Sequence, residues 1–239
     1  MPLTLKQHAY KEIFDRLMAG TVQPGGRLSD DALARELGIS RSPVREAISQ
    51  LSTEGLVEYR PRSGAYVKVL DRRELDELYD LREALEGHAA ARAAQRIDQP
   101  ALDELAQVVQ GMREIALECR KTPTRMAGRE MTERFLANDL QFHMAILTAA
   151  GNQRLLNTVR DLRIMTRVFG FVPVEHDLKI IASTYRYHAT VLRALVRGDG
   201  KAAQSWMVSH IRAAREVVLA GYDRRAGQSQ LPPAPSQGE

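Results

Sequence analysis

The sequence predicts a mostly α-helical chain in two parts: a small helical unit closed by a short β-hairpin, then a larger antiparallel all-α bundle. Three observations carry this reading. Aromatic residues make up only 5% of the 239 residues, and strand-like alternation is confined to residues 56–70. Apolar residues recur at helical spacing on both sides of that stretch. Glycine and proline fall between the periodic segments and punctuate them.

The elements follow in order. Residues 5–19 place Ala9, Ile13, Phe14 and Leu17 at helical spacing, and Gly20 stops that helix. PGGRL, residues 24–28, is a turn. The next helix takes Ser29 or Asp30 as N-cap, turns Leu33, Ala34 and Leu37 inward and ends at Gly38. Ser42 then reads as an N-cap with Pro43 at the first helical position. That helix buries Val44, Ala47, Ile48 and Leu51 and closes at Gly55. Two short helices joined by a tight glycine-containing turn form a helix-turn-helix. In LVEYRPRSGAYVKVL, Val57 and Tyr59 alternate, PRSG turns, and Tyr66 to Val69 alternate again, which reads as a hairpin. A helix-turn-helix followed by a hairpin is a winged helix, assigned to residues 1–70. Helical periodicity then returns over 72–96, 100–121, about 127–150, about 152–169, 177–198 and 199–222, giving a helical domain at 71–223. The tail at 224–239 is rich in Pro, Gln, Ser and Gly and is expected to be disordered.

Composition narrows the function. The single cysteine, Cys119, excludes a disulfide framework and suits a reducing compartment. No window approaches a membrane span, so a cytoplasmic location without membrane attachment is expected. Net charge is +4, and residues 1–70 hold ten Lys/Arg against eight Asp/Glu, a difference of +2. Bulk charge is thus compatible with nucleic acid without arguing for it, and placement must decide.

In a helix-turn-helix the second helix enters the major groove and its first turn meets base edges. Arg41 and Arg45 stand there, with Ser40 and Ser42 as short donors. Arg35 on the preceding helix is placed to reach the backbone, and Arg60, Arg62, Ser63, Gly64 and Lys68 lie on or beside the wing. Ordinary salt bridges with Glu46, Glu54 and Glu58 would explain any one arginine, but not the clustered set. The run PGGRLSDDALARELGISRSPVREAISQLSTEGLVEYRPRSGAYV resembles the N-terminal domain of the GntR family of bacterial transcription regulators over residues 4–70. The resemblance implies DNA contacts at Arg35, Ser40, Arg41, Ser42, Arg45, Arg62, Ser63 and Gly64, with double-stranded, near-palindromic operator DNA as partner of a homodimer. Some relatives place an arginine where this chain has Asp31.

The second domain aims ionisable groups inward. Leu136, Leu140, Leu147 and Ala150 form a stripe that contains Asp139 and His143. His188 lies in the face of Tyr185, Leu192 and Leu195, and His210 in that of Met207, Ala214 and Val217. Buried groups of this kind need partners. Each histidine is either a satisfied core residue or one of a set sharing a divalent metal, for which imidazole and carboxylate suit zinc, nickel, manganese or iron, zinc first. NDLQFHMAIL, YHATVLRALVRGD and WMVSHI resemble elements of the FCD ligand-sensing domain of the FadR-like branch of the same family, over about residues 72–222. That resemblance implies a metal held by Asp139, His143, His188 and His210, although Tyr187 stands where a common pattern has Glu. Arg82 shares the inner face of Leu75, Leu78, Leu85 and Ala89. Its partner is an acid such as Glu86, or the carboxylate of a small metabolite, which the resemblance favours. Asn152 and Arg163 are further effector candidates.

The expected function is a ligand-responsive transcription regulator, a repressor by family habit, tuned by a small carboxylate effector. Two other readings compete. The helical domain could serve dimerisation alone, or the metal site could be enzymatic. HExxH, GxSxG and P-loop patterns are absent, and no inward acid or base remains as a general base, so an enzyme is not expected.

Overall fold

The computed structural model describes residues 3–170 and 176–228. The N-terminal unit runs α1 (Leu5–Met18), β1 (Arg27–Leu28), α2 (Asp30–Leu37), α3 (Arg41–Thr53), β2 (Val57–Arg60) and β3 (Gly64–Val67). The remainder is α4 (Arg72–Ala93), α5 (Gln99–Lys121), β4 (Met126–Ala127), α6 (Arg129–Ala149), α7 (Gln153–Phe169), β5 (His176–Asp177), α8 (Leu178–Val196) and α9 (Gly200–Gln228). A winged helix-turn-helix precedes a helical domain, as the periodicity predicts. No helix of the described residues is long and apolar enough to cross a membrane.

Local chemistry sets the boundaries. A capping box of Thr4 and Gln7 starts α1. The Ser29 hydroxyl accepts the Ala32 amide at the start of α2, and Gly38 ends it at φ 66°, a left-handed conformation that costs glycine little. The helix carrying the two arginines begins earlier than Ser42: Ser40 is the N-cap and Pro43 sits third in the helix. Amides of the whole first turn lack intrahelical acceptors, so proline is tolerated there as well as at the first position.

The β content exceeds the expected hairpin. Arg27–Leu28 of the PGGRL turn pairs antiparallel with β3, giving the order β1-β3-β2, and β4 pairs with β5. Strands of two residues carry no alternation to read. The final helix runs to Gln228, so residues 224–228 of the expected tail are helical, while 229–239 lie outside the described residues.

Two cores matter for function. In the bundle, Leu75, Tyr79, Leu105, Phe142, Ile146, Val191, Met207 and Ile211 pack together. Helices α4 and α9 lie antiparallel, with Arg72–Asp223, Asp76–Arg215 and Glu83–Arg212 ion pairs along their seam. Their backbones approach so closely at Gly87 that an added Cβ would sit 2.8 Å from Val208 Cγ2. The head core is built from Ile13, Leu17, Val44, Ile48, Leu51, Leu56 and Val67, and it is completed by Val168 and Phe169 from the end of α7. Head and bundle therefore share apolar packing. Phe169→Ala should cost about 3–5 kcal/mol in urea unfolding, because its ring closes the head core. A loss below about 1 kcal/mol would show that the seam is dispensable.

Candidate metal centre and nucleic-acid interface

The four predicted donors converge. On α6, Asp139 and His143 are one turn apart on the buried face of Phe135, Phe142 and Ile146. The expected stripe is corrected here: Leu140 is 40% exposed and faces away, because the face turns through Phe142 and His143. His188 comes from α8 and His210 from α9, both buried. Phe142 stacks on the His188 ring at 4.0 Å and 9°, which fixes the imidazole plane.

The atoms facing one another are alike. His143 Nε2 and His188 Nε2 lie 3.2 and 3.1 Å from His210 Nε2, and Asp139 Oδ1 lies 3.7 and 3.5 Å from His143 Nε2 and His188 Nε2. One donor atom from each of the four residues falls within 4.8 Å of every other. Ligands 2.0–2.1 Å from a shared cation are separated by roughly 2.9–3.4 Å, so the spacing fits a mononuclear site after small adjustment. The outward nitrogens support this assignment. His143 Nδ1 lies 2.5 Å from Glu86 Oε2, a close polar contact though misaligned for a hydrogen bond, and His188 Nδ1 lies 3.0 Å from Met112 Sδ. Protons on those nitrogens leave Nε2 lone pairs pointing at one spot, where a cation satisfies what a single shared proton cannot.

Electrostatics point the same way. Burial lowers His143 and His188, and lowers His210 to about 3, so the imidazoles are neutral and available as ligands. Burial alone would raise Asp139 and Glu86, but neighbouring cations outweigh it. Arg163 dominates at Asp139 and Arg82 at Glu86, holding both carboxyls far below their usual range.

Around this set lies a ring of paired charges. The Arg163 Nη2 donates to Asp139 Oδ2 at 2.5 Å and Nη1 to Glu86 Oε2 at 3.3 Å. Arg163 Nε is buried and has no hydrogen-bond partner among the described residues. Arg82 donates from Nε to Glu86 Oε1 at 2.8 Å and from Nη1 to Thr166 Oγ1 at 3.3 Å. Of the two partners weighed for Arg82, Glu86 is the one engaged, and Arg163 lies nearer the donors. Asn152 is not brought to the site: it is exposed, its Oδ1 caps the Leu155 amide, and it lies beyond the end of α6, about 9 Å of helix and a turn after His143. Glu86 is the residue that sequence reasoning undervalued, although its position one turn after Arg82 on the same face could have marked it.

On the head, Arg35, Ser40, Arg41, Ser42 and Arg45 are all exposed, as are Arg62, Ser63 and Gly64 at the wing tip. Arg62 and Gly64 take left-handed backbone, φ 59° and 103°. Arg45 of α3 and Gly64 of the wing line one cleft with Arg27, Asp30 and Tyr59, so helix and wing address the same face. Arg27, which the sequence puts in a turn and the structure in β1, is a further basic residue of that cleft.

The family named for bacterial regulatory proteins, gntR family, matches residues 5–67, and the FCD domain family matches residues 77–213. The chain belongs to the GntR family and carries an FCD domain. Its relatives include the Nta operon transcriptional regulator of Aminobacter aminovorans, 30% identical over 82% of this chain and 86% of that one. The HTH-type transcriptional repressor RspR of Escherichia coli (strain K12) is 26% identical over 90% and 89%. Among solved structures, E. coli McbR/YncC superposes with TM-score 0.75 at 20% identity, covering 92% of this chain and all of that one (100%). A GntR transcriptional regulator from Rhodococcus sp. RHA1 superposes with TM-score 0.69 at 22% identity, covering 91% of this chain and 98% of that one. Membership makes this GntR/FCD protein a DNA-binding transcriptional regulator and not an enzyme.

The part-buried Arg163–Asp139 pair yields a stability test. Arg163→Ala in chelator-treated protein should cost about 3–5 kcal/mol in urea unfolding, since it strands the Asp139 carboxylate. A cost under about 1 kcal/mol would mean that the imidazoles alone satisfy that charge.

Proposed function

We propose that this GntR/FCD regulator is a homodimeric repressor whose operator affinity is set by a small carboxylate bound beside a divalent metal. The metal ligands are Asp139, His143, His188 and His210, and zinc is the first choice. The observation that carries the reading is the convergence of three Nε2 atoms and one carboxylate oxygen. Repression is supported by the relative RspR, which bears that name.

Charge bookkeeping favours an anionic effector. Asp139 and Glu86 are balanced by Arg82 and Arg163, and the imidazoles are neutral. A divalent ion would leave about two uncompensated positive charges in a buried site, a state that a small acid offsets. When bound, the metal supplies Lewis-acid affinity for the effector's oxygens. The Arg163 Nε–H, without a hydrogen-bond partner among the described residues, is the donor offered to a carboxylate oxygen, and Arg82, held by Glu86 and Thr166, supports it from behind. Asn152 keeps its capping role.

Helix α7 links the site to the head. Arg163 faces the donors, Thr166 takes Arg82, and Arg167 Nε donates to the Met18 carbonyl of α1 at 3.2 Å. Met165 Cε reaches within 3.3 Å of where a Gly55 Cβ would stand, just past α3, and Val168 and Phe169 enter the head core. An effector pulling on Arg163 thus acts on a helix that packs against the DNA-binding unit within two turns of that residue. By linkage it must bind one arrangement more tightly than the other.

Untagged protein should carry about one divalent ion per chain by elemental analysis. His143→Ala and His188→Ala should lose it while keeping helical circular dichroism. A screen of small mono- and dicarboxylates should raise the melting temperature of metal-loaded protein but not of chelator-treated protein. The same acid should weaken operator binding about 5-fold or more. Metal-free native protein that still responds to the acid would contradict the proposal.

A further inference from the structure

Both arginines at the start of α3 are held by acids from the first turn of α2. Arg45 Nε donates to Asp30 Oδ2 at 2.6 Å, and Arg41 Nε makes an ion pair with Asp31 Oδ1 at 2.5 Å. The Asp30 contact joins residues 15 positions apart. The other oxygen of Asp30 accepts the Asp31 amide at 3.0 Å, so backbone geometry fixes the carboxylate plane. Asp30 keeps 31% of its side-chain surface and Arg45 keeps 64%. A pair so exposed adds little to stability, so folding gives a weak reason for it.

Its geometry gives a better one. A guanidinium presents two edges that can grip a guanine. With Nε taken by Asp30, the terminal Nη1 and Nη2 edge is left for guanine O6 and N7. Fixing the plane beforehand removes part of the ordering cost of reading the base. The same carboxylate lies beside the cleft between α3 and the wing, where DNA phosphates would approach, and there it opposes binding that lacks the base contact.

We infer that Asp30 is a positioning and specificity-determining residue: it orients Arg45 for one base pair and penalises DNA without that pair. The Asp31–Arg41 pair is a second instance of the device. The inference rests on the docking of α3 in the major groove, and the test separates the two claims.

The operator is first defined by in vitro selection from random duplexes with the native full-length protein. The selection is then repeated with Arg45→Ala, Asp30→Ala, Asp30→Asn and Asp30→Glu. Arg45→Ala should lose preference at one base pair per half-site. Asp30→Ala and Asp30→Asn should lose preference at that same pair and bind non-specific duplex more tightly. Their ratio of specific to non-specific affinity should fall about tenfold, within the range of one bidentate contact. Asp30→Glu should restore part of the preference, and Arg45→Ala combined with Asp30→Ala should discriminate no worse than Arg45→Ala alone. Unchanged melting temperature for Asp30→Asn keeps misfolding out of the result. If Arg45→Ala loses a base pair and the Asp30 variants keep it, the positioning role is overturned and the docking stands. If Arg45→Ala also selects the native sequence, both claims fall.

Discussion

Three imidazoles and a carboxylate are packed tip to tip inside the bundle, and this crowding constrains the rest of the structure. They come from α6, α8 and α9, so the rotation of each helix about its own axis is fixed by where its donor must point. Lone pairs at such spacing repel unless something positive lies between them. Arg163 supplies part of that charge from one side and Glu86 orients His143 from the other. Helix α4 is in turn set by Glu86 and Arg82, and its seam of ion pairs sets α9. Polar groups that need a common partner thus specify the bundle more narrowly than apolar packing alone.

Helix α7 extends this constraint to the DNA-binding unit. Its buried side meets Glu86 and Asp139 through Arg163, and about one and a half turns later the same helix supplies Val168 and Phe169 to the head core. A head whose core is finished by another domain cannot move independently of it. A small rotation of α7 changes either the Arg163 contacts or the packing around Leu17 and Val44. This is the kind of shared, discretely packed element through which two sites bias each other.

Much of this was legible in the sequence. The winged head follows from the caps at Ser29 and Gly38, the inward Val44, Ala47, Ile48 and Leu51, and the alternation at Val57 and Tyr59. The donor set was visible because Asp139 and His143 are one turn apart and each further histidine falls in an apolar face. What escaped has physical reasons. Two-residue strands such as Arg27–Leu28 leave no period to detect. Pro43 suits any first-turn position, so the start of α3 was displaced to Ser42. Leu140 is apolar and one turn from Leu136 and yet faces solvent, because Phe142 claims the core side of α6. Asn152 next to Gly151 looked available for a ligand and is occupied as a cap. The long-range pairs, Asp30–Arg45 and Asp139–Arg163, depend on how helices lie together, which no local spacing encodes.

The environment of a bound ion is the decisive observable. X-ray absorption spectroscopy of the metal-loaded, untagged protein addresses this most directly. The first shell should contain three imidazole nitrogens and at least one oxygen at about 2.0–2.2 Å, with the imidazole multiple-scattering signal reduced by one third in His210→Ala. A shell of oxygens without imidazole scattering, or one unaltered by His210→Ala, would place the ion elsewhere and contradict the convergence of α6, α8 and α9 on a single cation.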